Sequence, residues 1–288
     1  METKKINNIK IQRVITNKIE ENRIGGVCMF PEVYANIYLV SKKKSGKTTL
    51  IYNILKKCAN KNTHIWIFSP TIKKDDTWKM IIEMLEKKGC QVSKYLHFLD
   101  EDGSNIIDEV INELINEGSD EEQEEEEEYK DEPINKPLYL CKFGNEEQQE
   151  ERKEEKEINV IKKEKKNKKN KIYPEHIFVC DDLASDLRNK AIGQLLIKNR
   201  HFKSKVILSG HNVTNLLPQA RANIDYCVVF KGMADDKVKV LHNDLNLSMD
   251  FEKFLEIYKN ATEKPYSFLW ISTSDDKLRC GFDKDIII

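Results

Sequence analysis

Residues 41–50, which read SKKKSGKTTL, constrain the fold of this chain more than any other segment. They follow the apolar run 35–40. From residue 49 to residue 55, apolar side chains recur at helical spacing. A strand, a loop and a helix are therefore predicted in that order. Such a turn points backbone N–H groups and the positive end of a helix at a polyphosphate. The segment thus predicts a phosphate-binding loop.

Residue types within the loop match distinct chemical tasks. Gly46 lets the backbone approach the phosphates, Lys47 reaches the β and γ oxygens, and Thr48 offers its hydroxyl to Mg²⁺. Thr49 is expected to cap or pack the first helical turn. The predicted nucleotide-binding residues are Ser41, Lys42, Lys43, Lys44, Ser45, Gly46, Lys47, Thr48 and Thr49.

One position departs from the pattern Gly-x-x-x-x-Gly-Lys-Thr. Ser41 stands where the first glycine is usual, and its Cβ fits a tight turn less easily. The alternative interpretation is a lysine-rich surface loop that contains Gly-Lys-Thr by chance. The flanking strand and helix favour the phosphate loop, because a short motif carries meaning only in the right structural context.

A second apolar run, 177–180, ends in the two carboxylates Asp181 and Asp182. A buried strand would deliver Asp181 to the carboxyl end of the sheet, beside the phosphate loop, where it can hold the water shell of Mg²⁺. Asp182 would then face the γ-phosphate and polarise the attacking water. The alternative is a strand that ends in an N-cap aspartate before a helix from Leu187. The Gly-Lys-Thr motif upstream favours the nucleotide site.

Two further candidate side chains follow the next predicted strand, 205–209. His211 lies at its tip, where a polar group can reach the γ-phosphate or its water; it could equally be an ordinary loop histidine. Arg221 comes shortly afterwards. In a ring of subunits it could enter the neighbouring site and neutralise transition-state charge, whereas in a monomer it would form a surface ion pair.

Short apolar runs alternate with helical patterns along most of the chain. Trp78 belongs to one of the helical patterns and is assigned to the core rather than to a base-stacking platform. The alternation predicts an α/β fold with a doubly wound, mainly parallel sheet. Strands are predicted at 35–40, 64–68, 95–99, 177–180, 205–209 and 224–230, with a hairpin at 267–271 and 277–282.

The regular pattern stops between residues 119 and 171. This stretch is mostly glutamate, lysine and asparagine, with too little apolar surface to offset the entropy cost of ordering it. It is predicted to be a disordered, low-complexity charged insertion in a single domain formed by residues 31–118 and 172–288, with 1–30 as a lead-in. Its lysine cluster, 162–171, either contacts DNA phosphates or is a solvated segment or a localisation-like patch.

Composition narrows the class of protein. Charged residues make up 34% of the 288 residues, yet the formal net charge is −1, so overall charge indicates no nucleic-acid partner. Seven scattered cysteines without a Cys-x-x-Cys pair indicate a reducing compartment and no structural zinc. No signal-peptide pattern and no apolar stretch of membrane-spanning length are found in the sequence. A soluble intracellular protein with no membrane partner is therefore expected.

The order of these segments resembles the poxvirus-type virion DNA-packaging ATPases, a branch of the FtsK–HerA superfamily found in large DNA viruses, virophages and related mobile elements. The resemblance covers most of the chain outside the charged insertion and implies a RecA-like P-loop NTPase domain. It is carried by SKKKSGKTTL, IWIFSP, IFVCDDL, NRHFKSKVILSGHN, LLPQARANIDYCVVFKG and FEKFLEIYKNATEKPYSFLWIST.

The resemblance also implies roles for six residues. They are Lys47 and Thr48 for phosphate and magnesium, Asp181 for the metal, Asp182 for catalysis, His211 as a polar sensor and Arg221 as the arginine after Leu-Pro. Three features depart from the family pattern: Ser41 replaces a glycine, His211 stands where glutamine is common, and residues 218–221 form a segment one residue shorter than usual.

The function implied by the resemblance is ATP hydrolysis, with Mg²⁺, that drives double-stranded DNA into a preformed capsid. A homo-oligomeric ring, DNA contacts to the backbone, and capsid portal or vertex proteins as partners are implied as well. The location would be the host cytoplasm or virus factory, and the virion. Two alternatives stay open: a DNA pump for plasmid or mobile-element transfer, and a nucleotide-binding scaffold that assembles without hydrolysis.

Overall fold

Runs rich in β-branched and aromatic residues form most of the strands of the protein. The structure is a computed structural model that describes residues 19–100, 102–116, 171–183 and 185–287. The strands in these ranges are β1 (Asn36–Val40), β2 (His64–Phe68), β3 (Gln91–Tyr95), β4 (His176–Cys180), β5 (Ser204–Gly210), β6 (Tyr226–Phe230), β7 (Phe268–Ser272), β8 (Lys277–Cys280) and β9 (Lys284–Ile286).

Side-chain caps satisfy a free backbone N–H group at the start of two of the described helices. Asp75 accepts a hydrogen bond of 2.8 Å from the N–H of Thr77, and Asn189 accepts one of 2.9 Å from Ala191. No helix in the described ranges has the length and apolar character needed to cross a membrane. The helices are α1 (Lys47–Cys58), α2 (Asp76–Lys87), α3 (106–116), α4 (Lys190–Ile197), α5 (Pro218–Arg221), α6 (Asp235–Asp244) and α7 (Phe251–Ala261).

One nine-stranded sheet has the order β3-β2-β4-β5-β1-β6-β7-β8-β9. The six strands from β3 to β6 are parallel, and β7, β8 and β9 extend the sheet in antiparallel pairs. Strand β1 lies between β5 and β6, and all five of its residues are buried. Uniform burial is typical of a parallel strand covered on both faces.

Helices cover both faces of the sheet. Alternate residues of β1 point to opposite sides, so Tyr38 and Val40 join one hydrophobic cluster while Ile37 and Leu39 join the other. Helices α1 and α2 pack on the Ile37 side, and α3, α4, α6 and α7 pack on the Tyr38 side. Trp78 is fully buried in the core. The predicted α/β class with a mainly parallel sheet between helices is confirmed.

Two element boundaries predicted from the sequence are wrong. The strand expected at 95–99 is β3, Gln91–Tyr95; Phe98 instead leaves the sheet and packs edge-on against Phe68 at 5.2 Å. The helix expected from Leu187 starts at Lys190, because Asn189 caps it after a short 3₁₀ turn. Most of the predicted insertion, residues 119–170, and residues 1–18 of the lead-in lie outside the described residues.

Candidate functional site

The loop after β1 and the residues that follow β4 and β5 meet at one edge of the sheet. Because these strands are parallel and β4, β5 and β1 are consecutive in the sheet, their carboxyl ends share that edge. The N–H of Ser41 donates to the carbonyl of Gly210 at 3.0 Å and ties the start of the loop to the end of β5. Sequence motifs that are far apart in the chain are thus neighbours.

The backbone of the loop explains which of its residues must be glycine. Gly46 caps α1 with φ 96°, and a Cβ built there would lie 3.4 Å from the Tyr266 ring. Lys44 also has a left-handed backbone, with φ 62°. Ser41 is fully buried and has no positive φ, and its side chain donates to the carbonyl of Lys42. A serine therefore fits at the position where the pattern has its first glycine.

Lys47 and Asp182 face each other across this edge. The Nζ of Lys47 lies 3.3 Å from Oδ1 of Asp182, and the lysine side chain is 8% exposed. Asp182 has φ 61°, a left-handed backbone that aspartate adopts more readily than most residues other than glycine. Left-handed residues other than glycine are concentrated at functional sites.

His211 reaches the same carboxylate oxygen from the other side. Its Nε2 lies 3.2 Å from Oδ1 of Asp182, and its Nδ1 lies 2.7 Å from the carbonyl oxygen of Ser41. A carbonyl only accepts, so Nδ1 must carry the proton of that bond. The histidine ring therefore lies between the carbonyl of Ser41 and the carboxylate of Asp182.

Asp181 is buried at the base of the site, with 3% of its surface exposed. Burial raises the pKa of its carboxyl group, while the hydrogen bond from Ser209 and the charge of Lys47 oppose that rise. The Ser209 hydroxyl donates to Oδ1 of Asp181 and accepts from the N–H of Asp182 at 3.2 Å. Ser209 therefore holds the carboxylate of Asp181 and the backbone of Asp182, a role that the sequence analysis missed.

The hydroxyl of Thr48 and the carboxylate of Asp181 form a pair of hard oxygen donors. The Oγ1 of Thr48 lies 3.5 Å from Oδ2 of Asp181. Mg²⁺ takes oxygen ligands and is commonly held by one or two protein groups together with substrate phosphates and waters. Among the described residues no cluster of three or more His, Cys, Asp or Glu side chains could hold a metal ion. The two oxygens fit a magnesium ion that is shared with a polyphosphate.

A polar cavity of about 470 Å³ lies between the loop and the two aspartates, and His211 is not part of its wall. That volume is within the usual range for ligand pockets. Lys43, Lys44 and Ser45 line it together with residues 46–49, and both aspartates form part of its wall. The wall also includes four residues that the sequence analysis did not identify, namely Thr71, Asp75, Thr77 and Tyr266. Thr49 is exposed in the first turn of α1 and lines the cavity, but Gly46 provides the cap.

Arg221 does not line this cavity. It ends α5, and its Nη1 lies 3.5 Å from Oδ2 of Asp244 on α6. Only 17% of the arginine side chain is exposed. The structure thus gives Arg221 a partner in its own chain, and the pair is more buried than the surface ion pair expected for a monomer.

The sheet is mainly parallel, a glycine-capped loop follows its central strand β1, and the carboxylates after β4 face that loop. This arrangement defines the P-loop NTPase fold.

No family model matches the chain, and no curated protein matches it in sequence. Solved structures do resemble it. The genome packaging NTPase B204 from Sulfolobus turreted icosahedral virus 2, in complex with AMP, is 16% identical, with 86% of this chain and 97% of that chain covered and a TM-score of 0.48.

Two other solved structures are similar over part of their length. The pCW3 conjugation coupling protein TcpA, in its monomer form with ATPγS, is 10% identical, with 87% of this chain and 61% of that chain covered and a TM-score of 0.46. EssC (ATPases 2 and 3) from Geobacillus thermodenitrificans is 16% identical, with 68% of this chain and 32% of that chain covered and a TM-score of 0.39.

Proposed function

We propose that this protein is an ATP-hydrolysing motor that moves double-stranded DNA, and that its task is to package viral DNA into capsids. The observation that carries the ATPase part is the 3.3 Å contact between Lys47 and Asp182 across a polar cavity. The DNA part is supported by the family resemblance of the motifs at 41–50, 177–183 and 205–230.

The site has the groups that phosphoryl transfer needs. Lys47 and the N–H groups of the loop offset the charge of the β and γ phosphates, and Thr48 and Asp181 would hold the magnesium ion. Magnesium, when bound, would supply positive charge that offsets the charge of the phosphates. Catalysis of this kind is positioning and electrostatic stabilisation.

Asp182 is the residue that orients the attacking water. Its carboxylate is partly exposed and is bound to Lys47 and His211 in the structure. When Lys47 turns to phosphate oxygens, the carboxylate oxygen is released to accept a hydrogen bond from water. His211 then lies beside that water, at the end of β5, where it responds to the γ-phosphate.

Arg221 would act from the adjacent subunit of a homo-oligomeric ring. A guanidinium added in trans stabilises transition-state charge and makes hydrolysis depend on assembly. For this role it must leave Asp244, its partner within the chain. DNA contacts would be to the phosphate backbone, since a motor cannot depend on sequence. Capsid portal or vertex proteins would anchor the ring inside the infected cell.

The test is phosphate release with and without double-stranded DNA, for the wild type and Lys47→Ala. We expect DNA-stimulated hydrolysis in the wild type and its loss in the variant. Lys57→Ala is the matched control, because this exposed lysine is at the far end of the same helix. Equal phosphate release by wild type and Lys47→Ala would refute the proposal that this protein is an ATP-hydrolysing motor. Nucleotide binding that needs Lys47 without any hydrolysis would instead identify a scaffold.

A further inference from the structure

A second cavity, of about 540 Å³, adjoins the phosphate cavity. The two cavities share Gly46, Thr49 and Tyr266, so the N-terminal turn of α1 forms a wall of both. A nucleotide whose phosphates rest on the loop extends from there through its sugar to its base. The second cavity is therefore within reach of the same ligand.

The chemistry of the two cavities differs. The phosphate cavity is lined by lysine, hydroxyl and carboxylate groups, whereas the second has Leu50, Phe230 and Phe268 in its wall. The rings of Phe230 and Phe268 are 5.5 Å apart and form one aromatic surface. An apolar, aromatic lining suits a flat heterocycle, because a base has a π-face that stacks on such rings.

Tyr266 is the most unusual residue at this boundary. Its side chain is 71% exposed, and its backbone has φ 63°. The next residue holds this turn, since the N–H and the hydroxyl of Ser267 both donate to the carbonyl of Lys264. An exposed aromatic ring on a strained backbone gains little from burial in the chain itself. Strain of this kind indicates a functional position.

We propose that the second cavity binds the nucleobase of ATP, with the base stacked on Tyr266. This inference rests on the proposed function, because it assumes that the loop holds the phosphates. Asn53, on the wall of the cavity, donates from Nδ2 to the carbonyl of Thr49 at 2.9 Å, which orients its carboxamide. The amide oxygen accepts a hydrogen bond from the 6-amino group of adenine, which favours ATP over ITP.

The experiment compares calorimetric binding of ATP with that of inorganic tripolyphosphate, which has no base. Stacking of one base is expected to contribute about tenfold or more in affinity. Tyr266→Ala should therefore weaken ATP binding about tenfold and change tripolyphosphate binding less than twofold. Tyr266→Phe keeps the ring and should bind ATP like the wild type. Both variants keep a Cβ at position 266, so the strain of the backbone is the same in each and does not explain a difference between them.

Lys47→Ala separates this inference from the proposed function. We expect it to weaken both ligands. Suppose that Lys47→Ala weakens the binding of both ATP and tripolyphosphate. If Tyr266→Ala then leaves both affinities unchanged, or lowers both equally, the base site is refuted and the phosphate site is kept. If Lys47→Ala changes neither ligand, the proposed function itself fails. Asn53→Ala should reduce the preference for ATP over ITP, and an unchanged preference would refute the contact with the 6-amino group.

Discussion

The ammonium group of Lys47 lies 3.3 Å from the carboxylate of Asp182, although the two residues are 135 positions apart in the chain. The lysine begins α1, and the aspartate follows β4, so this contact forms only when the sheet is assembled in the order observed. A nucleotide that binds between them gives the lysine other anions to neutralise. The contact is therefore expected to exchange during the reaction.

Asp182→Asn tests that exchange. It keeps the shape of the side chain but removes the base, so we expect hydrolysis to fall by about 10²–10⁴-fold. Nucleotide affinity should be unchanged or tighter, because Lys47 loses a competing carboxylate. Phosphate release and equilibrium binding measure the two effects. Asp186→Asn is the control, since Asp186 is close by but lies outside the cavity wall. Hydrolysis within twofold of the wild type would show that Asp182 is not the base.

Ser209→Ala tests the residue that joins the two aspartates. It leaves the buried Asp181 without its hydroxyl donor, which is expected to cost about 1–3 kcal/mol in the free energy of unfolding. A purely structural serine would change stability alone. Because Asp181 is the proposed metal residue, we also expect a higher half-saturating Mg²⁺ concentration for hydrolysis.

Ser272→Ala is the matched control for this prediction. Ser272 is similarly buried in the same sheet, on β7, and within the described part of the chain its hydroxyl bonds only to that of Ser274, at 3.4 Å. The control should leave the Mg²⁺ requirement unchanged. The same Mg²⁺ dependence in wild type and Ser209→Ala would contradict a positioning role.

Local patterns were sufficient to predict the central part of the fold. The apolar runs of β1, β2, β4, β5 and β6 gave strands because each run is short, continuous and bounded by turn residues. The Gly-Lys-Thr loop and the carboxylates after β4 were found for the same reason. Each is a local sequence feature whose meaning depends only on the element beside it.

Ser209 and Tyr266 could not be found in this way. The contact of Ser209 with Asp181 depends on the register in which Cys180 pairs with Leu208, a long-range relationship that no local pattern contains. Tyr266 lies in a loop, where its exposure follows from the turn at 264–267. The predicted position of β3 was wrong because this edge strand is only partly buried, so its sequence is not an apolar run. The apolar residues 96, 98 and 99, which follow the strand, were assigned to it instead.

Arg221 gives a prediction about assembly. If it acts in trans, Arg221→Ala subunits and Lys47→Ala subunits should each be inactive, whereas a mixture of the two regains activity. Some interfaces in the mixture combine an intact Lys47 with an intact Arg221 from the neighbour. Arginines of this kind contribute about 10³–10⁵-fold in rate, so even a minority of complete sites is measurable. A mixture as inactive as its components would show that no site is shared.

His64 gives a prediction about acid stability. Its Nε2 bonds to Ser93 at 2.8 Å, its ring lies 4.0 Å from that of Trp66, and burial followed by the charge of His176 lowers its pKa to about 4. The unfolded chain therefore binds more protons than the folded one between about pH 4 and 6.5, and stability falls as the pH falls through that window. Because the ring is only half-buried, water screens the effect, and we expect about 1 kcal/mol.

The comparison of His64→Gln with the wild type isolates this effect from other acid-sensitive groups. Denaturant unfolding at a series of pH values should show a smaller loss of stability between pH 6.5 and 4 in the variant, because glutamine has no proton to bind. His201→Gln is the control, since His201 is exposed in the folded protein. Parallel stability curves for the wild type and His64→Gln would mean that burial does not hold this histidine neutral.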